Sequence, residues 1–122
     1  LDLSGAHLSY GDFKDATFIG AGAIRLDGAG LANADLSGSK LTADSSYASA
    51  YYETTIDFSG ANLTNADLRG AELNAVGAYV STIDFSGANL ASAVLSGATV
   101  ETSYGEATID FTKANLADAD LS

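Results

Sequence analysis

Residues 58–73 read FSGANLTNADLRGAEL, with a large apolar residue at Phe58, Leu63, Leu68 and Leu73, always five positions apart. Ala61, Ala66 and Ala71 each stand two residues before one of them. A helix returns a side chain to one face about every 3.6 residues and a strand about every two, so a step of five fits neither. Self-similarity at a longer fixed spacing is the mark of a repeat architecture.

The same beat runs through the rest of the chain. It falls at Leu3, Leu8, Phe13 and Phe18, then slips and resumes at Leu26, Leu31, Leu36 and Leu41. Later runs are Phe85, Leu90, Leu95 and Val100, then Phe111, Leu116 and Leu121. Every complete run has four beats. Ile24, Ile56, Ile83 and Ile109 stand two residues ahead of a run's opening residue, where most beats have Ala. TIDF recurs at 55–58, 82–85 and 108–111, so the intervals between runs belong to a larger repeat. The unit is four pentapeptides plus an insertion of variable length at one fixed place.

The motifs ANL at 61–63, 88–90 and 114–116, and ADL at 34–36, 66–68 and 119–121, resemble the pentapeptide-repeat family, whose loose consensus is A-(D/N)-L-x-x. The resemblance covers nearly all of the chain outside the insertions. It implies an all-β fold, a right-handed quadrilateral parallel β-helix. Each pentapeptide would form one side, giving four to five coils in a single domain over residues 1–122. In that family the central Leu or Phe and the small residue two before it point inward, and the residue between them points out. The expected core ladder is then Phe58, Phe85 and Phe111; Leu63, Leu90 and Leu116; and Leu68, Leu95 and Leu121.

Elementary packing gives the same composition a reason. A narrow solenoid cannot hold a large side chain at every inward position, so large residues alternate with Ala. Gly60, Gly70, Gly87 and Gly97 would permit turn geometry at the corners. Successive coils would pair at about 4.8 Å, making a rod of roughly 20 Å stabilised mainly by neighbour contacts.

The insertions depart from the family pattern. Residues 42–55, 74–82 and 101–108 are expected to bulge from one edge or to form one lengthened side, lying above one another. Each carries tyrosine: Tyr47, Tyr51 and Tyr52; Tyr79; Tyr104. These rings either pack locally against the solenoid wall with wet hydroxyls or make an aromatic edge for a partner.

Stacking also aligns outward residues. Asn62, Asn89 and Asn115 form one column, where amides can bond along the stack. Asp57, Asp84 and Asp110 form another, and Asp35, Asp67 and Asp120 a third that Val94 interrupts. The column at Asp57 reads either as turn-bonding carboxylates or as a cation site. No compact loop supplies further ligands, so no metal is assigned.

Enzyme chemistry finds little purchase. His7 is the single histidine and takes an outward slot. Cys is absent, Ser is scattered through turn positions, and the glycines do not build a phosphate-cradling loop. A core of Leu and Ala leaves no substrate cavity. The expectation is a non-enzyme with no cofactor.

Composition narrows the partners. The 122 residues carry sixteen acidic and five basic side chains, a net charge of −11. Such a surface repels nucleic-acid backbones and attracts basic proteins. No apolar run approaches the roughly 20 residues needed to span a bilayer. A soluble chain is expected, extracellular or cytoplasmic, with prokaryote-like composition. Leu1-Asp2-Leu3 begins in register and ADLS ends in it, which reads as a piece of a longer chain or assembly. The function expected is a structural or protein-interaction rod that stacks through its coil ends, forming filaments, or docks on partners. The alternative is an acidic DNA mimic that binds a type II topoisomerase such as gyrase, a role some members of the family fill.

Overall fold

The computed structural model describes residues 1–46, 52–103 and 105–122. Among them are eight strands: β1 (Thr17–Ala21), β2 (Ala23–Arg25), β3 (Lys40–Asp44), β4 (Glu53–Asp57), β5 (Glu72–Val76), β6 (Val80–Asp84), β7 (Thr99–Ser103) and β8 (Glu106–Asp110). They make two four-stranded sheets in the orders β1-β3-β5-β7 and β2-β4-β6-β8, with every pairing parallel. Two further sides are columns of single bridged residues. One runs His7, Gly30, Asn62, Asn89, Asn115 and the other Asp12, Asp35, Asp67, Val94, Asp120. The chain is a four-sided parallel β-solenoid. Each sheet spans three inter-coil steps, about three full turns, which corrects the expected four to five. Part-coils at either end extend the bridge columns.

The five-residue beat has a local cause. In each corner turn the central residue's carbonyl accepts a bond from the N–H three residues on, as from Ala61 to Phe58 at 2.9 Å. The residue before that donor has positive φ, +63° at Gly60, the signature of a type II turn. One extended stretch plus one such turn takes five residues, and four of them return the chain to its starting side. Gly70, Gly87 and Gly97 serve three other corners, as expected. The sequence reading did not anticipate Tyr10, Asp15, Asn33, Asn65, Ser92, Lys113 and Asp118 in the same left-handed conformation. A Cβ on Gly60 would meet nothing within 4 Å, so the conformation alone sets the effect of Gly60→Ala. It should lose about 1 kcal/mol, read as a lower urea midpoint, while Ser92→Gly moves the midpoint up or leaves it unchanged.

The interior is one continuous core. Ala29, Ala34, Ala61, Ala66, Ala71, Ala88 and Ala93 are buried beside Leu31, Leu36, Leu63, Leu68 and Leu90. Phe58, Phe85 and Phe111 stack face to face, with centroids 5.0 and 4.9 Å apart and planes within 2°. Ser39 occupies a slot that Ala fills in most coils. Its hydroxyl is the sole buried side-chain polar atom among the described residues without a hydrogen-bond partner. Ser39→Ala should therefore stabilise the chain by about 1 kcal/mol in chemical denaturation, since an unsatisfied buried group is removed with little change of volume.

The insertions lengthen two sides, not one. β3, β5 and β7 run past the corner and β4, β6 and β8 run back, so two sheets face each other as a fin along one edge. Burial alternates along both: Leu41 and Ala43 face Thr54 and Ile56, and Leu73 and Ala75 face Ser81 and Ile83. At the fin's narrow end small and hydroxyl residues replace large ones. Ser45 and Thr54 share a hydroxyl–hydroxyl bond, and Ser81 donates to the Ser103 carbonyl at 3.2 Å.

Candidate interaction surfaces

The outward residue of each beat is mostly Asp or Asn, and the turn explains why. Its Oδ1 lies within bonding distance of the N–H two residues on, which the turn leaves without a backbone partner. Asp57 accepts from Ser59 at 2.8 Å, Asp84 from Ser86 at 2.6 Å and Asp110 from Thr112 at 2.7 Å. Asp35, Asn62, Asp67, Asn89, Asn115 and Asp120 do the same at 2.9 to 3.2 Å. Asp57, Asp84 and Asp110 share one column, Asn62, Asn89 and Asn115 a second, and Asp35, Asp67 and Asp120 a third that Val94 interrupts. Arg25 stands between Asp2 and Asp57 in the first, a cation the sequence reading passed over. In the asparagine column Asn115 donates its amide to Asn89 at 3.1 Å.

At Asp35, Asp67, Asp110 and Asp120 these bonds favour the ionised carboxylate. Hydrogen bonds from the Ser37 hydroxyl and backbone hold Asp35 below the ordinary carboxylate range, and those from Thr112 do the same for Asp110. Ser4 lowers Asp2 and Asp27 together, its hydroxyl lying 2.6 and 2.7 Å from the two. Arg69 lowers Asp67, with Nε at 2.9 Å from both carboxylate oxygens. A group with a depressed value binds fewer protons folded than unfolded. Its stabilisation is complete above the unfolded value near 3.8 and is lost as pH falls through the folded one. The melting temperature should hold steady from about pH 8 to 5 and fall below about pH 4 in circular dichroism melts. A flat profile to pH 2 would contradict it.

Among the described residues no group of three or more His, Cys, Asp or Glu is arranged to hold a metal ion. His7 is exposed on a bridge column. Among the described residues ion pairs are few and lie at the surface: Lys40 with Glu72 at 3.1 Å, Arg25 with Asp27 at 3.3 Å, and Arg69 with Asp67. Tyr52 and Tyr79 stand on the fin's crest, 61% and 54% exposed. Tyr47, Tyr51 and Tyr104 lie outside the described residues. No helix of the described residues is long and apolar enough to cross a membrane.

Parallel coils stacked around one apolar axis define the β-solenoid class. Residues 56–76 match the family model described as Pentapeptide repeats (8 copies). Among solved structures it is similar to HetL, a pentapeptide repeat protein involved in heterocyst differentiation regulation from the cyanobacterium Nostoc. That match has 31% identity over 98% of this chain and 59% of HetL, with a TM-score of 0.29. A pentapeptide repeat protein from the Arabidopsis thaliana thylakoid lumen matches at 24% identity over 99% of this chain and 65% of its own, TM-score 0.30. QnrB1, a plasmid-mediated fluoroquinolone resistance protein, matches at 18% over 94% and 78%, TM-score 0.24. The chain thus spans less than two thirds of the first two relatives. No curated protein matches it.

Proposed function

We propose that the chain is a non-enzymatic protein-interaction module, a rod that stacks end to end, forming filaments, or docks on a protein partner. The observation that carries this reading is the exposed aromatic crest of the fin, where Tyr52 and Tyr79 are 61% and 54% exposed on a chain of net charge −11. Aromatic side chains are enriched in protein interfaces. Light scattering and electron microscopy over a hundredfold range of protein concentration test the stacking. Concentration-dependent rods support it; a monomer throughout, in wild type, overturns it.

The acidic alternative has the run Asp12, Asp35, Asp67 on one flat side and the charge of −11 in its favour. The fin breaks the smooth cylinder that such mimicry of duplex DNA requires. Unchanged supercoiling by gyrase at micromolar protein would remove it.

A further inference from the structure

The connections along the fin differ in number of residues from coil to coil. Gly22 alone joins β1 to β2, whereas residues 45–52 join β3 to β4, 77–79 join β5 to β6 and 104–105 join β7 to β8. Two open depressions lie along the fin's crest. One, of about 340 Å³, is lined by Ala21, Gly22 and Ala23 of the short first turn with Ser45, Tyr52 and Glu53 of the next coil. The other, of about 510 Å³, is lined by Ala78 and Tyr79 of the third coil with Gly105 and Glu106 of the fourth. Small residues keep the floors low. A Cβ at Gly105 would come within 1.8 Å of the Tyr79 carbonyl oxygen.

The same chemistry repeats in both. Each has a tyrosine that immediately precedes a returning strand, and a glutamate that opens one, Glu53 of β4 or Glu106 of β8. Among the described residues no Lys or Arg lines either depression. An aromatic face attracts a cation, a carboxylate beside it adds charge pairing, and a chain at −11 steers basic partners toward itself.

Granted the interaction role proposed above, we propose that the crest of the fin receives arginine side chains of an extended segment on a basic protein partner. Each guanidinium lies over Tyr52 or Tyr79 and pairs with Glu53 or Glu106. Arginine suits the site better than lysine because its planar group stacks on a ring and meets a carboxylate in the same plane. Glu53, Val80 and Glu106 occupy one column on successive strands, which sets the two carboxylates about 10 Å apart. Arginines three apart on a polyproline II segment share a face at about 9 Å.

Titration of the peptide RPPRPPR against the full chain at low salt tests this, with QPPQPPQ as control. Saturable binding of the first peptide alone is expected. Tyr52→Leu with Tyr79→Leu, at unchanged net charge, should weaken it roughly five- to thirtyfold. Tyr79→Phe, which keeps the ring, should bind within about twofold of wild type and guards against misfolding of the leucine pair. Glu53→Gln with Glu106→Gln should also weaken binding, whereas Asp15→Asn with Asp118→Asn, the same charge change at distant corners, should not. No binding by wild type, or equal weakening by the corner pair, overturns the proposal. So does loss of self-association in the tyrosine variants, which would make a second copy the occupant. Wild type that binds the peptide but never assembles refutes stacking and leaves the crest site standing.

Discussion

Phe85→Ala should destabilise the chain by about 3–5 kcal/mol, the range for removing a fully buried aromatic side chain. Phe85 has no exposed surface, and its ring lies between two others at 5.0 and 4.9 Å. Alanine leaves a gap bounded by the faces of Phe58 and Phe111, which backbone pairing above and below prevents from closing. A domain of this size has roughly 5–15 kcal/mol in hand, so the loss is a large part of the whole. A solenoid's stability is close to a sum of coil and neighbour terms, so the damage should localise. Amide hydrogen exchange should speed up most in β8 and the coil around Phe111, which the missing ring disconnects from the rod. Phe111→Ala, at a half-buried terminal position with one stacked neighbour, should lose only about 1–2 kcal/mol. Urea titration by far-ultraviolet circular dichroism reads both; a Phe85→Ala loss below about 1 kcal/mol would mean the column is not the spine of the fold.

Most of the stacking was legible in the sequence because a solenoid writes its register into its spacing. Phe58, Phe85 and Phe111 recur at the same place in the unit, and so do Asn62, Asn89 and Asn115; nothing but coil-on-coil pairing makes such positions neighbours. The fin was only half legible. Spacing shows that residues are inserted at one corner, but a spacing cannot say whether an insertion bulges, widens one side or extends two. What distinguishes the outcomes is period-two alternation, as in β5, where Leu73 and Ala75 alternate with Glu72, Asn74 and Val76. That signal is short and has small residues in its inward slots. The left-handed corners at Tyr10 and Lys113 were hidden for another reason. Glycine announces such a conformation, whereas a tyrosine or lysine there is held by the coil around it. The crest depressions are lined by residues of neighbouring coils that meet in space, which no single stretch of residues encodes.

Gly77→Ala tests the fin directly. Gly77 is buried where the two sheets come closest, and its φ is not in the left-handed region, so space alone decides the outcome. A Cβ there would stand 2.2 Å from the Thr54 Oγ1, 2.9 Å from the Thr54 Cβ and 3.1 Å from the Ser81 Oγ. Rotating Thr54 away relieves the first contact but breaks its bond to Ser45, leaving a buried hydroxyl without a partner, and it does not relieve the second. The fin cannot simply part, because β5 and β6 are each paired on both edges. Overpacking of this kind destabilises by about 1–3 kcal/mol, and the added loss of the hydroxyl bond places Gly77→Ala at about 2–3 kcal/mol. Thr54→Ala alone should also destabilise, since Ser45 then lacks its acceptor or donor. Combined, the two substitutions should be less damaging than their sum by at least about 1 kcal/mol, because alanine at 54 removes the nearest clashing atom. A double-mutant cycle in urea measures that coupling. Simple additivity would show that Gly77 and Thr54 do not face each other, and the two lengthened sides would then not be packed as a fin.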